Sequence, residues 1–216
     1  MSKAILFDLD GTLTDSGEGI INCASFALEH FGLAVPDRNA MRVFVGPPLR
    51  DTFIRFGVPA DLAEEAIAVF RSRYLPIGIY ENTPYPGVHD LLHRLQSEGY
   101  RLFVATSKPE SMALSVLNRF DLARYFEVIA GATLDGARDE KSQVIDYLLS
   151  LVGKQADAVM VGDTVFDVIG ASEHGIPTIG VAWGYGKPED MQKAGAIAVA
   201  NSTEELYQLL TKEKTG

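Results

Sequence analysis

Two aspartates one residue apart close the first apolar run of the chain, in Phe7-Asp8-Leu9-Asp10-Gly11-Thr12-Leu13-Thr14-Asp15. Period-two spacing puts Asp8 and Asp10 on the same side of a strand as it ends. Two carboxylates that close repel each other unless a cation or a proton relieves them. One can bind metal and attack an electrophile while the other carries protons. Gly11 lets the backbone turn closely around a bound anion. A bare pair of aspartates is equally well explained as a solvated strand exit. The whole Asp-x-Asp-Gly-Thr string behind an apolar run is far more specific.

Three further strings carry compatible chemistry. In Leu102-Phe103-Val104-Ala105-Thr106-Ser107-Lys108-Pro109 a buried-looking strand ends in hydrogen-bonding residues. Thr106 can donate its hydroxyl to a phosphate oxygen, and a following helix can offer N–H groups, although strand ends and helix caps favour threonine and serine in any case. Lys141 opens a helical pattern after Asp135-Gly136-Ala137-Arg138-Asp139-Glu140. There it could neutralise phosphate and hold the charge of a nucleophile. The helix dipole mildly disfavours lysine at that end, so an anionic partner would account for it. An exposed-surface reading stays open for both Lys141 and Arg138. In Val159-Met160-Val161-Gly162-Asp163-Thr164-Val165-Phe166-Asp167, Asp163 ends a strand and Asp167 follows one helical turn later. Magnesium prefers oxygen ligands and keeps waters, so a few carboxylates suffice; a capping aspartate with a solvated partner is the plainer alternative.

The elements that must position these residues alternate. Apolar runs at Ala4 to Leu9, Leu102 to Ala105, Val128 to Ala130, Ala158 to Val161, Thr178 to Val181 and, weakly, Ala196 to Val199 are separated by amphipathic helical patterns. Such alternation predicts an α/β fold with a parallel sheet, in which ligands bind beyond the carboxyl ends of the strands. Gly99 and Gly153 follow helical patterns as C-terminal caps, Pro188 suits a helix start, and Ser202 with Glu205 reads as a capping box. Residues 16–80 break the alternation and read as all-helical, with helices at Ile20 to Phe31, Leu49 to Phe56 and Leu62 to Tyr74. The turn-rich Asn82-Thr83-Pro84-Tyr85-Pro86-Gly87 follows. The division expected is a core of residues 1–15 and 85–216 with a helical cap of 16–84; one continuous domain with extra helices is the alternative.

The 216 residues carry a formal charge of -10 and no lysine- or arginine-rich run, which disfavours a nucleic-acid polymer as partner. The N-terminal apolar stretch is too short for a signal peptide or membrane span, and Cys23, the single cysteine, allows no intramolecular disulfide. A cytoplasmic protein without membrane contact is expected, monomeric or dimeric. His30, His89, His93 and His174 share no ligand-like spacing, and Cys23 has no clear histidine partner. Trp183 and Tyr185 could line a base-binding pocket or pack a sheet edge.

Taken together, Asp8-x-Asp10-Gly-Thr, Thr106-Ser107, Lys141 and Gly162-Asp163-x-x-x-Asp167 resemble the four motifs of the haloacid dehalogenase superfamily, over almost the entire chain. The resemblance implies a doubly wound, Rossmann-type core with a helical cap inserted after the first motif. It also implies that Asp8 attacks phosphorus and Asp10 acts as acid and then base. Mg²⁺ would be held by the Asp8 carboxylate, the Asp10 carbonyl and Asp163, with Asp167 supporting from behind. Thr106, a Ser107 N–H and Lys141 would hold the phosphoryl oxygens. Dehalogenases of the superfamily lack an aspartate at the position of Asp10, so phosphoryl transfer is favoured.

Ala105 to Glu110, Leu134 to Arg138 and Gly184-Tyr185-Gly186 look like the phosphoglycolate phosphatase-like and bacterial 5′-nucleotidase-like branch. Thr164 and Phe166 depart from the arginine and histidine that the nucleotidase-like subgroup carries there. The expected substrate is a small phosphorylated metabolite, with 5′-mononucleotides and 2-phosphoglycolate leading. Arg50, in the rigid Gly46-Pro47-Pro48-Leu49-Arg50 turn, and Arg138 are candidates for meeting the leaving group. A phosphomutase shares the first motif, and a silent phospho-receiver could keep Asp8 without fast turnover.

Overall fold

Among the described residues, eight strands form in chain order: β1 (Ala4–Phe7), β2 (Thr14–Asp15), β3 (Thr83–Pro84), β4 (Arg101–Pro109), β5 (Val128–Ala132), β6 (Val159–Gly162), β7 (Thr178–Val181) and β8 (Ala198–Ala200). The computed structural model describes residues 3–155 and 157–212. The outer limits of the expected core segments, residues 1–2 and 213–216, lie outside them. Six strands make one parallel sheet in the order β5-β4-β1-β6-β7-β8. The chain winds outward from β1 to β5, then returns to β6 on the other flank of β1. This is the doubly wound order, and its reversal opens a crevice at the carboxyl ends of β1 and β6.

The helices are α1 (Gly17–His30), α2 (Arg38–Met41), α3 (Leu49–Arg55), α4 (Ala63–Tyr74), α5 (Val88–Ser97), α6 (Glu110–Arg119), α7 (Lys141–Val152), α8 (Val165–Ser172), α9 (Pro188–Ala194) and α10 (Thr203–Thr211). Alternation along the strands sorts them into two layers. Leu6, Phe103, Ala105 and Met160 pack with Val144, Ile145 and Leu148 of α7. Ile5, Phe7, Val104 and Val161 join a second cluster with Leu91 and Leu95 of α5, Val116 of α6 and Leu206 of α10. Both faces are covered, which is why the strands read as continuous apolar runs rather than alternating ones.

Between β2 and β3 lies the helical insert. Helices α1, α3 and α4 begin or end within about three residues of the sequence expectation, a usual uncertainty at helix ends. The short α2 and the antiparallel pairing of Thr14 with Pro84 and Asp15 with Thr83 had no sequence signal. The insert packs on aromatic contacts, with Phe44 5.0 Å from Phe53 and 4.8 Å from Phe56. Its apolar interior is continuous with one face of the sheet. No described helix is long and apolar enough to cross a membrane.

Candidate active site

Asp8 and Asp163 each follow the last residue of their strand, on neighbours β1 and β6, so the switch point brings them together. Lys141 is the first residue of α7, and Asp167 lies in the first turn of α8. All four side chains are buried. Asp8, Asp163 and Asp167 each offer a carboxylate oxygen within 4.8 Å of the others. Lys141 Nζ lies 2.8 Å from Asp8 Oδ1 and 2.8 Å from Asp167 Oδ1, and donates to the Ala105 carbonyl at 2.9 Å. Those contacts match the three donors of an ammonium and explain a lysine at a helix N-terminus.

One lysine does not balance three carboxylates. Unit charges about 4 Å apart repel by roughly 4 kcal/mol at an effective dielectric near 20. Burial pushes the Asp8 carboxyl from 3.8 up to about 6, with Lys141 opposing and Asp167 adding to the rise. Burial, then the neighbouring Asp167 and Asp8, lift Asp163 well above the usual carboxylate range. An oxygen-only donor set with excess negative charge is what a hard divalent cation relieves, so the residues present fit Mg²⁺. Asp167 is the most committed of the three. Its Oδ1 pairs with Lys141, while its Oδ2 accepts from Thr164 N at 3.0 Å and from Thr164 Oγ1 at 2.9 Å. That capping box fixes the carboxylate behind the other two.

The loop around Asp163 is tightly built. Asp163 accepts from Thr12 Oγ1 at 3.1 Å and from Tyr185 N at 2.8 Å. Gly11 has φ +86°, and a Cβ there would collide with the Asp163 carboxylate. The anion that Gly11 turns around is therefore part of the protein itself. Trp183 donates to the Thr12 carbonyl at 3.1 Å, and Tyr185 Oη contacts Asp15 and the Gly17 N–H. Both aromatic residues serve this framework.

A cavity of about 350 Å³ opens between the strand ends and the insert. Asp8, Asp10, Thr106 and Ser107 line its core side, and Phe44, Ile67, Phe70 and Tyr74 line the opposite wall. Arg50 reaches it from α3, half-exposed and paired with Glu64 at 2.7 Å. Arg138 does not line it. Its guanidinium donates to the Gly131 carbonyl at 2.8 Å and to Glu110 at 3.1 Å, and lies 3.6 Å over the Tyr147 ring. The structure thus gives Arg138 bracing contacts in place of the expected contact with substrate. The sequence reading missed Lys108, whose buried Nζ sits 2.9 and 3.1 Å from the two Asp10 oxygens. Its spacing two residues beyond Thr106 was the available signal.

A family model described as haloacid dehalogenase-like hydrolase matches residues 5–181. A protein named 5′-nucleotidase from Pseudomonas aeruginosa is 40% identical over 190 residues, covering 87% of this chain and 86% of the relative. One named tyrosine-protein kinase PtkA from Mycobacterium tuberculosis is 41% identical over 201 residues, covering 93% of this chain and 69% of the relative. A crystal structure of a predicted phosphatase from Clostridium acetobutylicum superposes with a TM-score of 0.93 at 41% identity, covering 97% of this chain and 98% of that one. With this match and the buried Asp8, Asp163, Asp167 and Lys141 constellation, the chain belongs to the haloacid dehalogenase-like hydrolase family.

Proposed function

We propose that the protein is a Mg²⁺-dependent phosphatase that hydrolyses small phosphate monoesters through an aspartyl phosphate on Asp8. The observation that carries this reading is the meeting of Asp8, Asp163, Asp167 and Lys141 at the switch point, beside Asp10 and under the insert. Asp8, Asp163 and the Asp10 carbonyl would hold the metal, with Asp167 orienting from behind. When bound, Mg²⁺ supplies charge stabilisation for the phosphoryl oxygens.

Asp8 attacks phosphorus, and the bond to the leaving oxygen breaks. Asp10 gives that oxygen a proton, then takes one from the water that hydrolyses the aspartyl phosphate. Thr106, the Ser107 N–H and Lys141 hold the phosphoryl oxygens, and Lys141 keeps Asp8 oriented. The helical insert, residues 16–84, acts as the cap that shelters the site and meets the leaving group. Asp10→Asn is expected to bind metal and phosphate analogues normally yet turn over an alkyl phosphate at least about a hundredfold more slowly. Near-normal release from such a poor leaving group would remove Asp10 from this role.

Specificity resides in the wall facing the phosphoryl site. Its aromatic and aliphatic residues suit a leaving group with an apolar body, which favours a 5′-mononucleotide over 2-phosphoglycolate. Arg50 lines that cavity from α3, and Arg71 lines it from α4. The exposed ion pair of Arg50 with Glu64 is weak enough to be exchanged for a ligand. Arg50→Ala should therefore raise KM for the best natural substrate much more than for p-nitrophenyl phosphate. Equal changes for both would place specificity elsewhere.

A phosphate-release screen over phosphorylated metabolites, with and without Mg²⁺, tests the main reading. The relative named a tyrosine-protein kinase supplies the competing one, in which the phosphoryl group passes to a tyrosine hydroxyl instead of water. A tyrosine peptide with ATP belongs in the same screen. Phosphate accumulating from monoesters supports the phosphatase; label on the peptide without free phosphate would replace it.

A further inference from the structure

Each aspartate of the first motif has its own buried lysine. Lys141 serves Asp8, and Lys108 serves Asp10. The Lys108 side chain is 5% exposed, and the Asp10 side chain it grips is 11% exposed. Its Nζ also lies 4.9 Å from the Tyr74 ring at the end of α4, so this ammonium sits where core and insert meet. A buried ion pair is no efficient source of stability, because desolvating both charges offsets most of their attraction. Its value lies in what it holds in place.

The backbone around Lys108 is shaped for this placement. The register between β4 and β5 shifts between Thr106 and Pro109, so Ser107 and Lys108 form an irregularity in the ladder. Bulges of this kind re-aim side chains near active sites. Lys108 N donates to Thr106 Oγ1 at 3.2 Å. Gly131 on β5 makes room: a Cβ there would come within 2.6 Å of the Lys108 carbonyl oxygen and of Glu110 Cα. Glu110 accepts from Gly131 N at 3.2 Å and from Arg138 at 3.1 Å, which closes the brace behind the irregularity.

We infer that Lys108 is a positioning residue for Asp10, spanning both carboxylate oxygens between the core and the Tyr74 ring so that Asp10 faces the leaving group and the hydrolytic water. The inference rests on the reading of Asp10 as acid and base. It predicts a loss confined to the steps that use Asp10. Departure of an alkoxide needs its proton, and hydrolysis of the aspartyl phosphate needs it as base. Attack of Asp8 on p-nitrophenyl phosphate needs neither, because nitrophenolate leaves unprotonated.

The test compares kcat/KM, which reports formation of the aspartyl phosphate, for a 5′-mononucleotide and for p-nitrophenyl phosphate. Lys108→Met is expected to lower it at least about a hundredfold for the nucleotide and less than about tenfold for the aryl ester. With the aryl ester, kcat should fall and acid-quenched enzyme should accumulate phosphate on Asp8. Lys108→Gln, which can still donate to one Asp10 oxygen, should fall between Met and wild type. It also carries the test if the Met variant does not fold. An equal fall for both substrates, or a nucleotide value within about threefold of wild type, overturns the role of Lys108. A wild-type protein that releases no phosphate from any monoester overturns the phosphatase reading itself, a separate outcome.

Discussion

Asp8→Asn is expected to abolish phosphate release, by at least about 10⁴-fold, without unfolding the protein. The substitution keeps the size of the side chain and removes the carboxylate that lies beside Lys141 and also lines the cavity. No neighbour can replace it. Asp163 is held by Thr12 and Tyr185, and both Asp167 oxygens are committed to Lys141 and Thr164. Lys141 would keep Asp167 and the Ala105 carbonyl as partners, so the network around α7 survives. Removing one of three crowded carboxylates also relieves repulsion. At pH 7.5 the metal-free variant should melt no lower than metal-free wild type. The measurements are phosphate release, from preparations shown free of wild-type enzyme, and thermal unfolding. Substantial turnover by a well-folded Asp8→Asn protein would reject Asp8 as nucleophile.

The centre of this site was legible because its residues occupy places where local rules and chemistry coincide. Asp8 and Asp163 end apolar runs, and parallel strands carry whatever follows them to one edge of the sheet. Lys141 stood out because a helix N-terminus disfavours it, and Asp167 because one helical turn returns it to Asp163. What stayed hidden depends on contacts distant in sequence. Arg138 looked like an anion binder until Glu110, 28 residues away, proved to hold it. Lys108 lay in view beside Thr106, but its partner Asp10 is 98 residues upstream. The reach of β4 past Ala105 depends on a register shift that no pattern of residue types announces.

The helical insert shows the same division. Its longer helices follow from apolar spacing, whereas the Thr14–Asp15 and Thr83–Pro84 pairing that closes its base is too short to leave a period-two signal. The polar Arg50 at its rim was readable as a residue after a rigid Pro-Pro turn. Its exchangeable partner Glu64 comes from a different helix and was not.

Stripping the metal should remove activity and also expose the electrostatic strain of the site as a pH-dependent loss of stability. Burial raises the Asp8 carboxyl from 3.8 to about 6, and Asp163 is raised well above its ordinary value for the same first reason. A group whose folded value lies above its unfolded one contributes stability that is complete below the unfolded value. That contribution is lost as pH rises through the folded one. For Asp8 the window runs from 3.8 to about 6, so metal-free protein should be less stable at pH 7.5 than the rest of its titration would dictate. A divalent cation answers the ionised carboxylates, and protons compete with it at low pH. At a hundred times its dissociation constant a ligand stabilises by about 2.7 kcal/mol, which for a chain of this length raises Tm by roughly 5–10 °C. The Mg²⁺-induced rise in Tm over chelator-treated protein is therefore expected to be large at pH 7.5 and small at pH 5. In parallel, chelation should cut phosphate release by on the order of a thousandfold, reversibly on adding Mg²⁺. A Tm that ignores Mg²⁺ at pH 7.5, or full activity in rigorously metal-free protein, would show that Asp8, Asp163 and Asp167 meet for some other purpose.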